Sequence, residues 1–170
     1  MPALRPRDLL AALLDAQIEF VILGGLAVGF HGWPRATKDI DICPAPSREN
    51  WTRLAQSLLD LDAEHVGVGD FDPGELPFDP TDPQHLAEGG NFRLETRLGA
   101  LDVMQWVPGV PGDFAYHHLA QTAVEAIVLE LPLRFCSLED LRTMKETAGR
   151  PRDLDDLQHL PRPSDETEIN

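Results

Sequence analysis

The sequence predicts an α/β (α+β) fold, a small mixed β-sheet flanked by helices, and three observations predict it. Phe20-Val21-Ile22-Leu23 is a β-branched and aromatic run with no polar break, the composition of a strand buried on both faces. Lys38-Asp39-Ile40-Asp41-Ile42 alternates polar and apolar residues at the period of a strand with two unlike faces. Helical patterns flank these runs: residues 8–17 are Ala/Leu-rich, and residues 47–61 space Trp51, Leu54, Leu58 and Leu61 three or four apart.

In chain order, the first helix takes Asp8 as its N-cap and leads into the strand at Phe20. Gly24-Gly25 ends that strand, and residues 26–30 have the apolar density of a helix start. Gly32-Trp33-Pro34 breaks the chain before the Asp39 strand, and Ser47 caps the helix that follows. Residues 67–83 are rich in Gly, Pro and Asp, and there is no Lys or Arg between Arg53 and Arg93. That acidic stretch reads either as a solvated loop or as a lid or docking surface for a basic partner. Asp82-Pro83 opens a short helix that Gly89-Gly90 ends. Residues 92–97 and 101–107 form a hairpin turning at Leu98-Gly99-Ala100. Residues 124–136 make one or two strands, interrupted at Pro132. Ser137-Leu138-Glu139-Asp140 reads as a capping box for a helix running to Ala148, with Gly149 as its stop. A last short helix follows Arg150-Pro151-Arg152-Asp153, with Asp153 as a candidate cap. Residues 1–160 are expected to form one domain, and 161–170 a flexible C-terminal tail.

Composition narrows the function. The 170 residues carry 14 Lys and Arg against 29 Asp and Glu, a formal charge of −15. Extended nonspecific binding to nucleic acid, which needs many cations to displace counterions, is disfavoured. Cys43 and Cys136 are far apart with no C-x-x-C, which suits a reducing cytosol. No signal-peptide core and no apolar run of about 18 residues is present, so the expected location is the cytoplasm, away from membranes. The dinucleotide fingerprint fails at Leu26, and no zinc spacing, G-x-S-x-G elbow or internal repeat occurs.

What remains is chemistry built on carboxylates. Two glycines between a strand and a helix let the backbone approach a phosphate, which the helix N-terminus favours. Asp39 and Asp41, at period two, share one strand face; adjacent carboxylates repel unless a cation lies between them, and oxygen ligands suit Mg²⁺. Asp102, inside the apolar strand L-D-V-M-Q-W-V, reads either as a hydrogen-bonded structural aspartate or as a third metal carboxylate. Lys145 falls on the apolar stripe of its helix with Leu138, Leu141 and Ala148, so it either snorkels to solvent or meets an anion.

The order Gly24-Gly25, then Arg35-x-Thr37-x-Asp39-x-Asp41, then Asp102 in R-L-G-A-L-D-V, then K-x-x-A-G-R-x-R-D-L-x-D-L from Lys145, resembles the DNA polymerase β-type nucleotidyltransferase superfamily. The spelling is closest to the AbiEii-type branch, which includes nucleotidyltransferase toxins. The usual Gly-Ser of that family is Gly-Gly here, which removes a hydroxyl contact to phosphate. The resemblance spans nearly the whole domain and implies Mg²⁺- or Mn²⁺-dependent transfer of a nucleoside monophosphate from an NTP to an acceptor, releasing pyrophosphate. It implies that Asp39, Asp41 and Asp102 hold two metal ions. It also implies that Gly24, Gly25, Arg35, Thr37, Lys38 and Lys145 contact the nucleotide. The acceptor it allows is a tRNA 3′ end, a small molecule of the antibiotic type or a protein, and a toxin would bring an antitoxin-like protein partner. A nucleotide- or partner-binding module that keeps the fold without turnover is the alternative from another class.

Overall fold

The computed structural model describes residues 2–66 and 72–162. Seven strands form one mixed sheet: β1 (Phe20–Leu23), β2 (Asp39–Pro44), β3 (Glu64–His65), β4 (Asn91–Thr96), β5 (Gly99–Met104), β6 (Val124–Val128) and β7 (Leu131–Phe135). Their order across the sheet is β3-β4-β5-β2-β1-β7-β6. The β2–β5 and β1–β7 pairs are parallel and the other four are antiparallel. All four residues of β1 are buried, as the unbroken apolar run requires of a central strand.

The helices are α1 (Pro6–Asp15), α2 (Gly24–Phe30), α3 (Arg48–Asp60), α4 (Pro83–Ala87), α5 (Tyr116–Thr122), α6 (Leu138–Ala148) and α7 (Pro151–His159). Ile40 and Ile42 of β2, Leu101 and Val103 of β5 and Phe92 and Leu94 of β4 are buried in one core with Leu9, Leu10 and Leu13 of α1 and Leu54 and Leu58 of α3. Period two then turns Asp39, Asp41 and Asp102 to the opposite side of the sheet. That alternation is what creates the site face.

Several predicted boundaries shift, each for a local reason. The first helix starts at Pro6, whose missing N–H suits the first turn, so Asp8 lies inside the helix and pairs with Arg5 instead of capping. The β4–β5 turn is Arg97-Leu98, one position earlier than expected. Thr96 Oγ1 closes it, accepting from Leu98 N and donating to Gly99 O. β5 ends at Met104, not at residue 107, because Asn91 Oδ1 accepts the next two backbone N–H groups, of Gln105 and Trp106. Pro132 does not interrupt its strand: it pairs with Ile127 inside β7, whose recorded pairing with β1 is at Phe135 alone. The break falls at Leu129-Glu130, both with positive φ (54° and 62°).

The Ser47, Asp82 and Ser137 caps are all made, accepting from Asn50, Gln84 and Asp140 N–H groups, and Gly149 ends α6 at φ 60°. The box at Ser137 is half made, because the Asp140 carboxylate accepts from His118 and Thr122 of α5 instead. Residues 67–71 of the acidic stretch and 163–170 of the expected tail lie outside the described residues. No described helix is long and apolar enough to cross a membrane.

Candidate active site

Asp41 and Asp102 are register partners in the parallel β2–β5 pair, and Asp39 lies one pleat away opposite Ala100. The three carboxylates predicted as a set therefore share one sheet face. Burial first, then the charges of Asp39 and Asp102, push Asp41 up to about 7, against the pull of Lys145 and Arg150. Burial, then Asp39, push Asp102 up to about 6, while Arg93 acts in the other direction from 3.9 Å. Crowded hard oxygens with excess negative charge suit a divalent cation in donor type and charge. Among the described residues, no three or more His, Cys, Asp or Glu side chains already stand as a metal cage. The fit is one of donor chemistry on a shared face.

Gly24 and Gly25 begin α2 itself, two residues earlier than the sequence suggested, and no side chain caps that helix. Both glycines are forced by close neighbours. Gly24 has φ +61°, and a Cβ there would lie 1.9 Å from Asp41 Oδ2. A Cβ on Gly25 would lie 2.6 Å from Thr37 Oγ1 and 2.9 Å from Thr37 Cβ. Thr37 Oγ1 donates to the Asp39 backbone carbonyl at 2.9 Å, fixing the entry to β2. The glycine pair thus seats Asp41 and Thr37 directly against the start of α2.

The predicted cations are engaged by α7. Arg35 makes a two-pronged bond to Asp156, from Nε at 2.6 Å and Nη2 at 2.8 Å. Lys145, buried on α6, neither snorkels nor faces empty space. Its Nζ lies 3.0 Å from Asp153 Oδ1 and 2.9 Å from Asp156 Oδ2. Arg150 bonds Asp153 through Nε at 2.8 Å and through its backbone N–H at 3.1 Å, so Asp153 does cap α7 and also takes Lys145. Burial would raise both α7 carboxylates, but the hydrogen bonds from Arg150 and Lys145 to Asp153, and from Arg35 and Lys145 to Asp156, hold them below the ordinary range. Lys38, just before β2, is exposed.

Asp156 stands in the pattern that begins at Lys145, but sequence reasoning gave it no role. Its signal was present in R-D-L-D-D-L: Asp153 and Asp156, three apart, lie on one helix face.

In sequence, no protein-family model and no curated protein matches the chain. In structure, it is similar to the antibiotic-resistance factor ANT(2″)-Ia, a nucleotidyltransferase, in two forms. The solution structure has TM-score 0.53 at 16% identity, covering 88% of this chain and 77% of that one. The crystal structure in complex with adenylyl-2″-tobramycin has TM-score 0.53 at 18% identity, covering 88% and 82%. An antigenic nucleotidyltransferase-like protein from Paracoccidioides brasiliensis has TM-score 0.49 at 18% identity, covering 92% and 77%. The likeness is one of fold: a mixed sheet flanked by helices, shared with nucleotidyltransferases.

Proposed function

We propose that the protein is a divalent-metal-dependent nucleotidyltransferase. The observation that carries this is the set Asp39, Asp41 and Asp102 on one face of β2 and β5, against the start of α2 and beside Arg35, Lys145 and Arg150. Asp39, Asp41 and Asp102 would hold Mg²⁺ or Mn²⁺, which when bound offsets negative charge on the triphosphate. The N–H groups at Gly24 and Gly25 would approach the β- and γ-phosphates. Thr37, packed on Gly25, shapes that edge, while Lys145, Arg35 and the exposed Lys38 supply positive charge. The acceptor oxygen forms a bond to the α-phosphorus as the bond to the bridging oxygen breaks, and pyrophosphate leaves with that electron pair. The acceptor proton passes to Asp102 or to solvent. Positioning and charge stabilisation carry such a reaction, with little covalent work for the protein.

The acceptor favoured by the surface is a small molecule carrying positive charge. Beyond Asp102 the sheet face continues through Arg93 to Glu95, and Glu95 is opposite Glu64 on β3. Together with a net charge of −15, this face repels an RNA and attracts a cation. The neighbour bound to adenylyl-2″-tobramycin supports the same reading. A tRNA 3′ end or a protein acceptor, with an antitoxin-like partner, belongs to the second reading. Incubation with each α-³²P NTP, Mg²⁺ and cell extract, or a panel of aminated small molecules, decides among them. Label in a small-molecule fraction is expected; label in RNA or protein supports the second reading, and no label from any NTP defeats the enzyme.

A further inference from the structure

α7 turns two carboxylates inward. Its buried residues are Asp153 and Asp156, whereas Leu154 is 50% exposed and Leu157 only partly buried. A helix ordinarily buries apolar residues, so burying two charges costs stability and asks for a purpose. Asp153 has a local one, since it caps the helix for Arg150. Asp156 caps nothing, is 0% exposed, and spends both oxygens on cations from elsewhere. Arg35, 121 positions away in sequence, forks onto it, and Lys145 of α6 shares its Oδ2.

Without a carboxylate between them, Arg35 and Lys145 would repel each other. The cluster Arg35, Lys145, Arg150, Asp153 and Asp156 holds three cations and two anions. A buried ion-pair group is weak support for stability and is often replaceable by apolar residues. Arg35 and Lys145 balance Asp153 and Asp156, and the extra cation is Arg150, whose side chain is 76% exposed. Arg35 and Arg150 both lie within electrostatic reach of Asp39 and Asp41, where a metal-bound triphosphate would bring further negative charge. We infer that Asp156 is a positioning residue: it fixes the Arg35 guanidinium, and with Asp153 the Lys145 ammonium, at the edge of the carboxylate face where a triphosphate would lie. The inference rests on the nucleotidyltransferase reading and extends it to a residue that touches no substrate.

The test is a double-mutant cycle in NTP affinity, measured by calorimetry with Mg²⁺ at a temperature where circular dichroism shows every variant folded. Arg35→Gln and Asp156→Asn should each weaken binding on the order of tenfold. The double variant should fall clearly short of the product of the two single losses, because Asp156 acts largely through Arg35 and Asp153 still holds Lys145. Losses that multiply overturn the inference. Arg35→Lys leaves Asp156 paired but cannot fork onto it. It should bind NTP about as poorly as Arg35→Gln, and affinity equal to the parent's overturns the inference even where Asp156→Asn does not fold. A parent protein that binds no NTP with Mg²⁺ overturns both readings. Parental binding with multiplying losses overturns only the positioning.

Discussion

Asp41 and Asp102 face one another across the parallel β2–β5 pair, and both are raised from an ordinary value of 3.8, to about 7 and about 6. The folded protein therefore keeps protons that the unfolded chain releases near pH 4. The stability this contributes is fully present below about pH 4 and is lost as pH rises through 6 and 7. In metal-free buffer, the melting temperature should fall between pH 5 and pH 8. Asp41→Asn keeps the shape, removes the charge and should flatten that fall by on the order of 2–4 kcal/mol. Thermal melts across the range check this; parallel pH profiles for parent and variant would refute it.

The same crowding makes the glycine pair irreplaceable in different ways. Gly24→Ala meets both a left-handed φ of +61° and the Asp41 carboxylate, so a loss of roughly 2–4 kcal/mol is expected in chemical denaturation. Gly25→Ser restores the spelling usual in the resembling family but drives a Cβ into Thr37. It should lower the melting temperature, and Thr37→Ala in the same chain should recover part of the loss. A Gly25→Ser protein as stable as the parent would mean that Thr37 yields freely.

How much of this was legible follows from whether a feature is local. The buried run at Phe20 and the alternation at Asp39 state their strands outright, and Asp102 announced itself as a charge inside an apolar strand. The caps at Ser47, Asp82 and Ser137 were readable because a cap is a bond within three residues. What the sequence concealed was the destination of long-range polar groups. Lys145 on an apolar stripe signalled an anion, but that Asp153 and Asp156 meet it depends on how α7 folds back on α6. Asp140, read as half of a cap, serves α5. Pro132 misled because a proline interrupts only a strand whose N–H is needed at that position.

The β6–β7 turn offers a stability gain remote from the site. Leu129 and Glu130 both hold positive φ, which suits Asn-Gly in a two-residue hairpin, and Leu129 is 44% exposed, so little burial is lost. Leu129→Asn with Glu130→Gly should stabilise the protein by about 1 kcal/mol and leave NTP affinity unchanged. Equilibrium denaturation checks it, and a lower midpoint would show that Leu129 packs more than its exposure indicates.

Lys145 separates a working enzyme from a silent module. Its ammonium is held by two carboxylates that keep partners of their own, Arg150 for Asp153 and Arg35 for Asp156. Lys145→Met keeps the stem and leaves neither carboxylate unpaired, so the cost in stability should stay near 1–3 kcal/mol, below that of an orphaned buried charge. In a transferase the lost charge matters most as negative charge moves onto departing pyrophosphate. Transfer should then fall on the order of 10²-fold or more, with a smaller loss in NTP affinity. If Lys145 serves only to neutralise α7, the variant melts lower yet turns over at the parental rate once folded. Single-turnover rates at a temperature where both proteins are fully folded divide the two cases, and a folded Lys145→Met protein with unchanged transfer would remove the lysine from the chemistry.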